Sequence, residues 1–139
     1  MDHEQHAHII DFLFHPVLVH FPIAFYLLEV ILIALWLKSH DSTKYNFARF
    51  TFWLGYGFMI LAMMAGFFDA GGLKGITSIV RPHFYSALAT GSIYTLRALY
   101  WYFARYNSPY YRWMLLAGAL IGYSSVLVTG YFGGDIVYG

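Results

Sequence analysis

The chain has 139 residues, of which 60% are hydrophobic, 22% aromatic and only 11% charged. Soluble domains carry charge on about a quarter of their residues, so this composition is typical of a membrane protein. The formal net charge of +1 gives no reason to expect nucleic acid as a partner. The absence of cysteine excludes disulfides, thiolate ligands, iron–sulfur clusters and covalently attached haem. Any metal chemistry must therefore rest on His, Asp, Glu or Met.

Residues 1–14 precede the first apolar segment. This stretch contains Asp2, Glu4 and Asp11 but neither Lys nor Arg, so it lacks the basic region of a cleaved signal peptide. We predict a single domain, residues 1–139, that begins with this stretch as a short mobile tail. We therefore expect the first apolar segment to remain in the mature protein.

Four segments are long and apolar enough to cross a bilayer, which takes about 20 residues each. They are residues 17–37, 48–68, 84–104 and 113–132. Lipid cannot satisfy backbone hydrogen-bonding groups, so each segment should be helical. Because the connections are short, consecutive helices should be antiparallel neighbours. The predicted fold is an all-α, polytopic, four-transmembrane-helix bundle built from two tandem helical hairpins.

Basic residues are unevenly distributed between the two sides of this bundle. Two loops and the segment ends beside them lie on one side and carry five basic residues, whereas the other side has only Lys74 and Arg81. The five are Lys38, Lys44, Arg49, Arg105 and Arg112. By the positive-inside rule, both termini and the loop 69–81 lie outside the cytoplasm. In a bacterium with two membranes, this places the chain in the inner membrane with both termini in the periplasm.

A short internal repeat suggests how the two hairpins are related. HFPIA at residues 20–24 aligns with HFYSA at 83–87, and AGFF at 65–68 aligns with TGYF at 129–132. The offsets of these two alignments agree to within one position. A parallel repeat of this kind has a pseudo-two-fold axis along the membrane normal. His20 and His83 would then occupy equivalent positions and face the same axis.

Polar residues gather at the predicted outer ends of the helices, where such groups are candidate functional residues. They are His15, His20, Asp69, Arg81, His83 and Asp135. We favour His20 and His83 as the two axial ligands of one haem b, with Arg81 as a counter-charge for the propionates. Two axial imidazoles leave no position for oxygen or substrate. The expected chemistry is one-electron transfer.

Two other interpretations use the same residues. In the first, His15, His20, His83 and Asp69 bind a single ion of zinc, copper or non-haem iron, although their spacing matches no metal-binding motif. In the second, the histidines bond carbonyls freed by Pro16 and Pro22 or cap helix ends.

Glu29 and Arg97 are the charged residues deepest in the predicted membrane. Counted from the helix starts, their depths differ by two residues, about 3 Å, which permits a buried ion pair. The alternatives are a proton or quinone-headgroup role, and an Arg97 that snorkels inward or lines a subunit interface. The positions of Glu29 and Arg97 also indicate which histidine at the start of the first segment faces His83. The spacing from His15 to Glu29 equals that from His83 to Arg97, an alignment in which His15, and not His20, would face His83. The repeat favours His20, and we predict His20.

The polar and glycine motifs together resemble a known family. They are HPxxVHFPIA at residues 15–24, GxxD at 66–69, His83, and GYxGGxxVYG at 130–139. This pattern is similar to the bacterial four-helix membrane family called domain of unknown function 2231. The resemblance implies a small polytopic inner-membrane protein, and relatives joined to c-type cytochrome domains imply redox work.

The leading functional hypothesis is a haem b electron carrier that works beside quinone or a periplasmic or complex-bound cytochrome. A non-catalytic accessory or anchor subunit of a membrane complex and a metal-binding membrane protein are the alternatives. Serine and threonine residues form no recognisable nucleophile motif, and the glycines form no phosphate loop. The sequence therefore favours an electron-transfer subunit over a stand-alone enzyme.

Overall fold

The computed structural model describes the backbone of residues 3–104 and 110–139 and the side chains of residues 15–104 and 110–139. The described backbone forms four long helices: α1, His3–Ser39; α2, Ser42–Asp69; α3, Arg81–Phe103; and α4, Tyr111–Tyr138. A single 3₁₀ turn, Gly72–Gly75, lies in the loop between α2 and α3. The prediction of an all-α fold is confirmed. The backbone of residues 3–14 continues α1, and the mobility of the predicted tail stays a prediction.

Within the described residues, three helices are long and apolar enough to cross a membrane: His15–Ser39 of α1, and all of α2 and α4. Helix α3, which was predicted as a fourth crossing, is the least apolar of the four. It carries Arg97 and a series of hydroxyl side chains among its apolar residues. Arg97 and Thr90 are buried in the bundle, where Arg97 bonds Glu29 of α1 and Thr90 bonds α4.

Two residues, His40 and Asp41, form the tight turn between α1 and α2. His40 has a left-handed backbone conformation, with φ of 55°, and its N–H bonds the Trp36 carbonyl at 2.8 Å. Asp41 then caps α2 by accepting the Thr43 N–H at 2.9 Å. That N–H, with the Lys44 ammonium as a second contribution, holds the pKa of Asp41 below its usual range. Asp41 thus remains a charged cap at neutral pH.

Each helix packs against two neighbours. Helix α1 contacts α2 and α4, and α3 contacts α4 and α2, with the α2/α3 contact the least extensive. Helices α1 and α3 therefore lie diagonally across the bundle. The space between them is filled by large buried side chains, most of them aromatic: Tyr26, Trp36, Phe52, Tyr94, Trp101 and Tyr111.

Candidate functional site

Three pairs of side chains from α1 and α3 meet on the bundle axis at successive depths. The imidazoles of His15 and His83 form the outermost pair, with ring centroids 6.3 Å apart. Deeper in the bundle, the rings of Tyr26 and Tyr94 stack at 3.7 Å, and Glu29 pairs with Arg97. In each pair the second residue follows the first by 68 positions. The three pairs define the pseudo-two-fold relation between the hairpins.

Glycines on α2 and α4 make room for these side chains in the same symmetric manner. A Cβ at Gly55 would lie 3.0 Å from the Tyr26 ring, and one at Gly122 would lie 2.9 Å from the Tyr94 ring. One at Gly66 would lie 2.7 Å from His15 Cε1, and one at Gly133 would lie 3.1 Å from His83 Cε1. The interval from Gly55 to Gly122 equals that from Gly66 to Gly133. Each glycine therefore seats a ring of the preceding helix.

The predicted repeat register is wrong. The observed offset between α1 and α3 is five positions longer than predicted, and the offset between α2 and α4 is three positions longer. A five-residue shift rotates a helical position by about 140°. His20 accordingly lies on the exposed face of α1, where its Nδ1 bonds the Pro16 carbonyl of its own helix at 2.5 Å. The prediction that His20 faces His83 is therefore wrong, and His15 takes that place.

The two facing histidines have matching hydrogen bonds. His15 Nδ1 lies 3.0 Å from the Ala62 carbonyl oxygen, and His83 Nδ1 lies 3.0 Å from that of Thr129. A carbonyl only accepts, so both Nδ1 atoms must carry the proton. Each neutral ring then has its lone pair on Nε2. The rings are half-buried and nearly perpendicular, at 82°.

The other predicted site residues do not join this pair. Asp69, Arg81 and Asp135 have exposed side chains, and no group of three or more His, Asp or Glu residues lies close enough to hold a metal ion among the described residues. The predicted ion site built from His15, His20, His83 and Asp69 is therefore not formed. Lys38, Lys44, Arg49 and Arg112 lie at the opposite end of the bundle, whereas Arg105 lies outside the described residues.

The predicted buried ion pair is confirmed. Arg97 bonds both Glu29 oxygens, at 2.5 and 3.2 Å, while Glu29 is fully buried and Arg97 is 8% exposed. The guanidinium also lies 5.0 Å from the ring centroids of Phe52 and Tyr94. Gly118 leaves space for Arg97, whose Nε would lie 3.3 Å from a Cβ at this position.

Sequence reasoning missed the stacked tyrosines and the glycine seats. An alignment of the two hairpins in the observed register reveals both features in the sequence. In that register His15 and Tyr26 align with His83 and Tyr94, and the Gly55-Tyr56 dipeptide aligns with Gly122-Tyr123. The equal spacings from the histidines to Glu29 and Arg97 pointed to the same register.

Comparison with known proteins identifies a family for almost the entire chain. The sequence model of DUF2231, described as a predicted membrane protein, matches residues 12–139. The resemblance seen in the motifs is therefore confirmed. No curated protein and no solved structure matches the chain.

Proposed function

The chain belongs to the DUF2231 family of predicted membrane proteins, and we propose that it is a b-type haem subunit that carries single electrons in the membrane. His15 and His83 would hold the haem iron. The observation that carries the proposal is the pair of imidazoles that meet on the bundle axis with both Nδ1 atoms bonded to carbonyls. His83 keeps its predicted role, and His15 replaces His20.

The separation of the rings supports this assignment. A metal–imidazole bond is about 2 Å long, and a ring nitrogen lies roughly 1 Å from its ring centroid, so two axial imidazoles have centroids about 6 Å apart. The observed separation is 6.3 Å. An Nδ1–H that donates to a carbonyl is the usual second interaction of a metal-bound histidine, because it fixes the tautomer and makes Nε2 more basic.

The number of donors favours haem over a bare ion. Zinc sites take at least three protein ligands, whereas this position supplies two imidazoles and no third His, Asp or Glu among the described residues. A haem brings its own in-plane nitrogens and needs only axial ligands from the protein. The least extensive helix contact, between α2 and α3, contains a groove of about 440 Å³ that includes Met63 and Gly91. Neither histidine lines this groove, so the ligand count, and not the groove, supports the choice of haem.

Haem supplies reversible one-electron chemistry when bound, and the chain's own residues hold and shield it. His15 and His83 would hold its iron through their Nε2 atoms. Gly66 and Gly133 let both rings reach the axis, and the apolar core keeps water away from the axis. With two imidazoles on the iron, the chemistry that haem would supply is electron transfer. Quinone and a periplasmic or complex-bound cytochrome remain the electron-exchange partners that we propose.

In the proposed topology, α3 is the fourth crossing of a bacterial inner membrane and the histidine pair lies near the periplasmic side. Both termini and the loop between α2 and α3 are then periplasmic. The chain has no cysteine, so single cysteines can report the topology. Leu73→Cys, at a residue 73% exposed, should react with an impermeant maleimide in spheroplasts. Thr43→Cys should react only after permeabilisation, and the reverse pattern would overturn this orientation.

The haem proposal is tested by absorption spectra of the purified protein, oxidised and then reduced with dithionite, after expression with ample haem. The wild type should show a low-spin b-type spectrum. His15→Ala and His83→Ala should each reduce bound haem by at least tenfold, whereas His20→Ala should retain it. His20→Ala is the matched control, because it removes an imidazole of the same helix that points away from the axis.

Two results would overturn the haem proposal. Colourless wild-type protein would favour an accessory or anchor subunit. Loss of haem in His20→Ala with retention in His15→Ala would contradict the ligand assignment.

A further inference from the structure

The hydrogen bonds around His83 extend to two threonines. Thr90 is only 5% exposed. Its hydroxyl forms one hydrogen bond with the Ser125 carbonyl, at 3.2 Å, and another with the Thr129 hydroxyl, at 2.9 Å. Because the carbonyl can only accept, the Thr90 proton goes to Ser125, and Thr129 donates its proton to Thr90. Thr129 is also the residue whose carbonyl accepts from His83. These bonds tie α3 to α4 beside the imidazole.

The equivalent positions of the first hairpin lack this arrangement. In the register set by the axial pairs and the seating glycines, Thr90 corresponds to Pro22 and Thr129 to Ala62, and neither residue has a hydroxyl. Pro22 also lies inside α1 and has no N–H, so the Leu18 carbonyl loses its usual helical partner. Pro82 lies in the first turn of α3, where a missing N–H costs nothing. The backbone around His15 therefore lacks the threonine hydrogen bonds and one helical hydrogen bond that the backbone around His83 has.

We propose that Thr90, acting with Thr129, is a positioning residue that fixes the His83 imidazole, and that His15 is the member of the pair that moves. The inference rests on the proposed function only for the identity of the group that His15 and His83 bind. If the pair holds haem, His83 would be the more firmly held of its two ligands and His15 the less firmly held one.

The experiment uses the full chain without haem, in nanodiscs, with ¹⁵N-labelled histidine. NMR then measures how fast each Nδ1–H proton exchanges with water. In the wild type, the His15 proton should exchange faster than that of His83. Thr90→Val should accelerate exchange at His83 about fivefold, as expected for the loss of an ordinary hydrogen bond, and leave His15 unchanged. Thr90→Ser should restore the wild-type rate because it keeps the hydroxyl.

Two further variants separate positioning from general loosening. Thr129→Val keeps the carbonyl that accepts from His83 and should act like Thr90→Val. Thr95→Val is the matched control, since its hydroxyl lies on the exposed side of α3 and bonds Gly91 and Tyr56. It should change neither histidine. Equal exchange of the two rings in the wild type, or equal acceleration of both in Thr90→Val, would overturn the inference. These results are independent of whether haem binds.

Discussion

Glu29→Gln will lower the free energy of unfolding by about 3–5 kcal/mol, the usual cost of removing one partner of a buried ion pair. The loss is large because Arg97 is only 8% exposed and would be left without its anionic partner. The Phe52 and Tyr94 rings beside it offer an attraction of about 1–2 kcal/mol, which is too weak to compensate. Denaturant unfolding in mixed micelles, followed by tryptophan fluorescence, measures the change.

Two control variants show whether the cost comes from the buried unpaired charge. Glu29→Leu combined with Arg97→Met removes both charges and should regain most of the lost stability, since apolar replacements of buried pairs are often neutral or better. Lys44→Gln breaks the exposed pair with Asp41 and should have little effect. If Glu29→Gln alone proves as stable as the wild type, the Glu29–Arg97 pair does not stabilise the bundle.

Gly122→Ala will destabilise the bundle by about 1–3 kcal/mol, which is the range expected for overpacking a core. The added Cβ would lie 2.9 Å from Tyr94 Cζ and 3.2 Å from an Arg97 nitrogen. Both side chains are buried, and Tyr94 is stacked on Tyr26, so neither has space to retreat. The same unfolding experiment measures the loss.

Gly130→Ala, on the same helix, gives the matched comparison. No atom lies within 4 Å of a Cβ at this position, so the change should stabilise the protein by about 0.5–1 kcal/mol through the better helix propensity of alanine. The two substitutions thus differ in sign although the chemical change is identical. Equal effects at Gly122 and Gly130 would refute the assigned role of Gly122 as the seat of Tyr94.

The sequence predicts much of this fold because its strongest signals are local. Segment lengths and hydropathy indicate the helices, and short loops indicate an antiparallel bundle. The Glu29–Arg97 pair follows from the cost of burying one charge alone. Composition also led to the prediction of four crossings. Helix α3 carries polar groups that face the bundle interior, so it is less apolar than the three helices whose hydropathy is sufficient for a crossing.

The histidine pair was misassigned because short sequence identity does not determine the face of a helix. The match between HFPIA and HFYSA favoured His20, yet the side chains that contact across the axis are set by seating glycines far along the chain, Gly66 for His15 and Gly133 for His83. The equal spacing to the charged pair carried the correct information because helical position, and not residue identity alone, decides contact. Thr90 and Thr129 were unpredictable, since hydroxyls on α3 and α4 are numerous and only tertiary packing selects them.

The pseudo-symmetry of the hairpins also determines which of them can associate. Symmetric pairing of two first hairpins, taken from separate copies of the chain, would bring Glu29 against Glu29 in an apolar interior. Pairing of two second hairpins would bring Arg97 against Arg97. Like charges about 4 Å apart repel strongly at the low effective dielectric of such a site. Only the pairing of a first hairpin with a second hairpin neutralises both charges. The difference between Glu29 and Arg97, which occupy equivalent positions, therefore favours association of unlike hairpins.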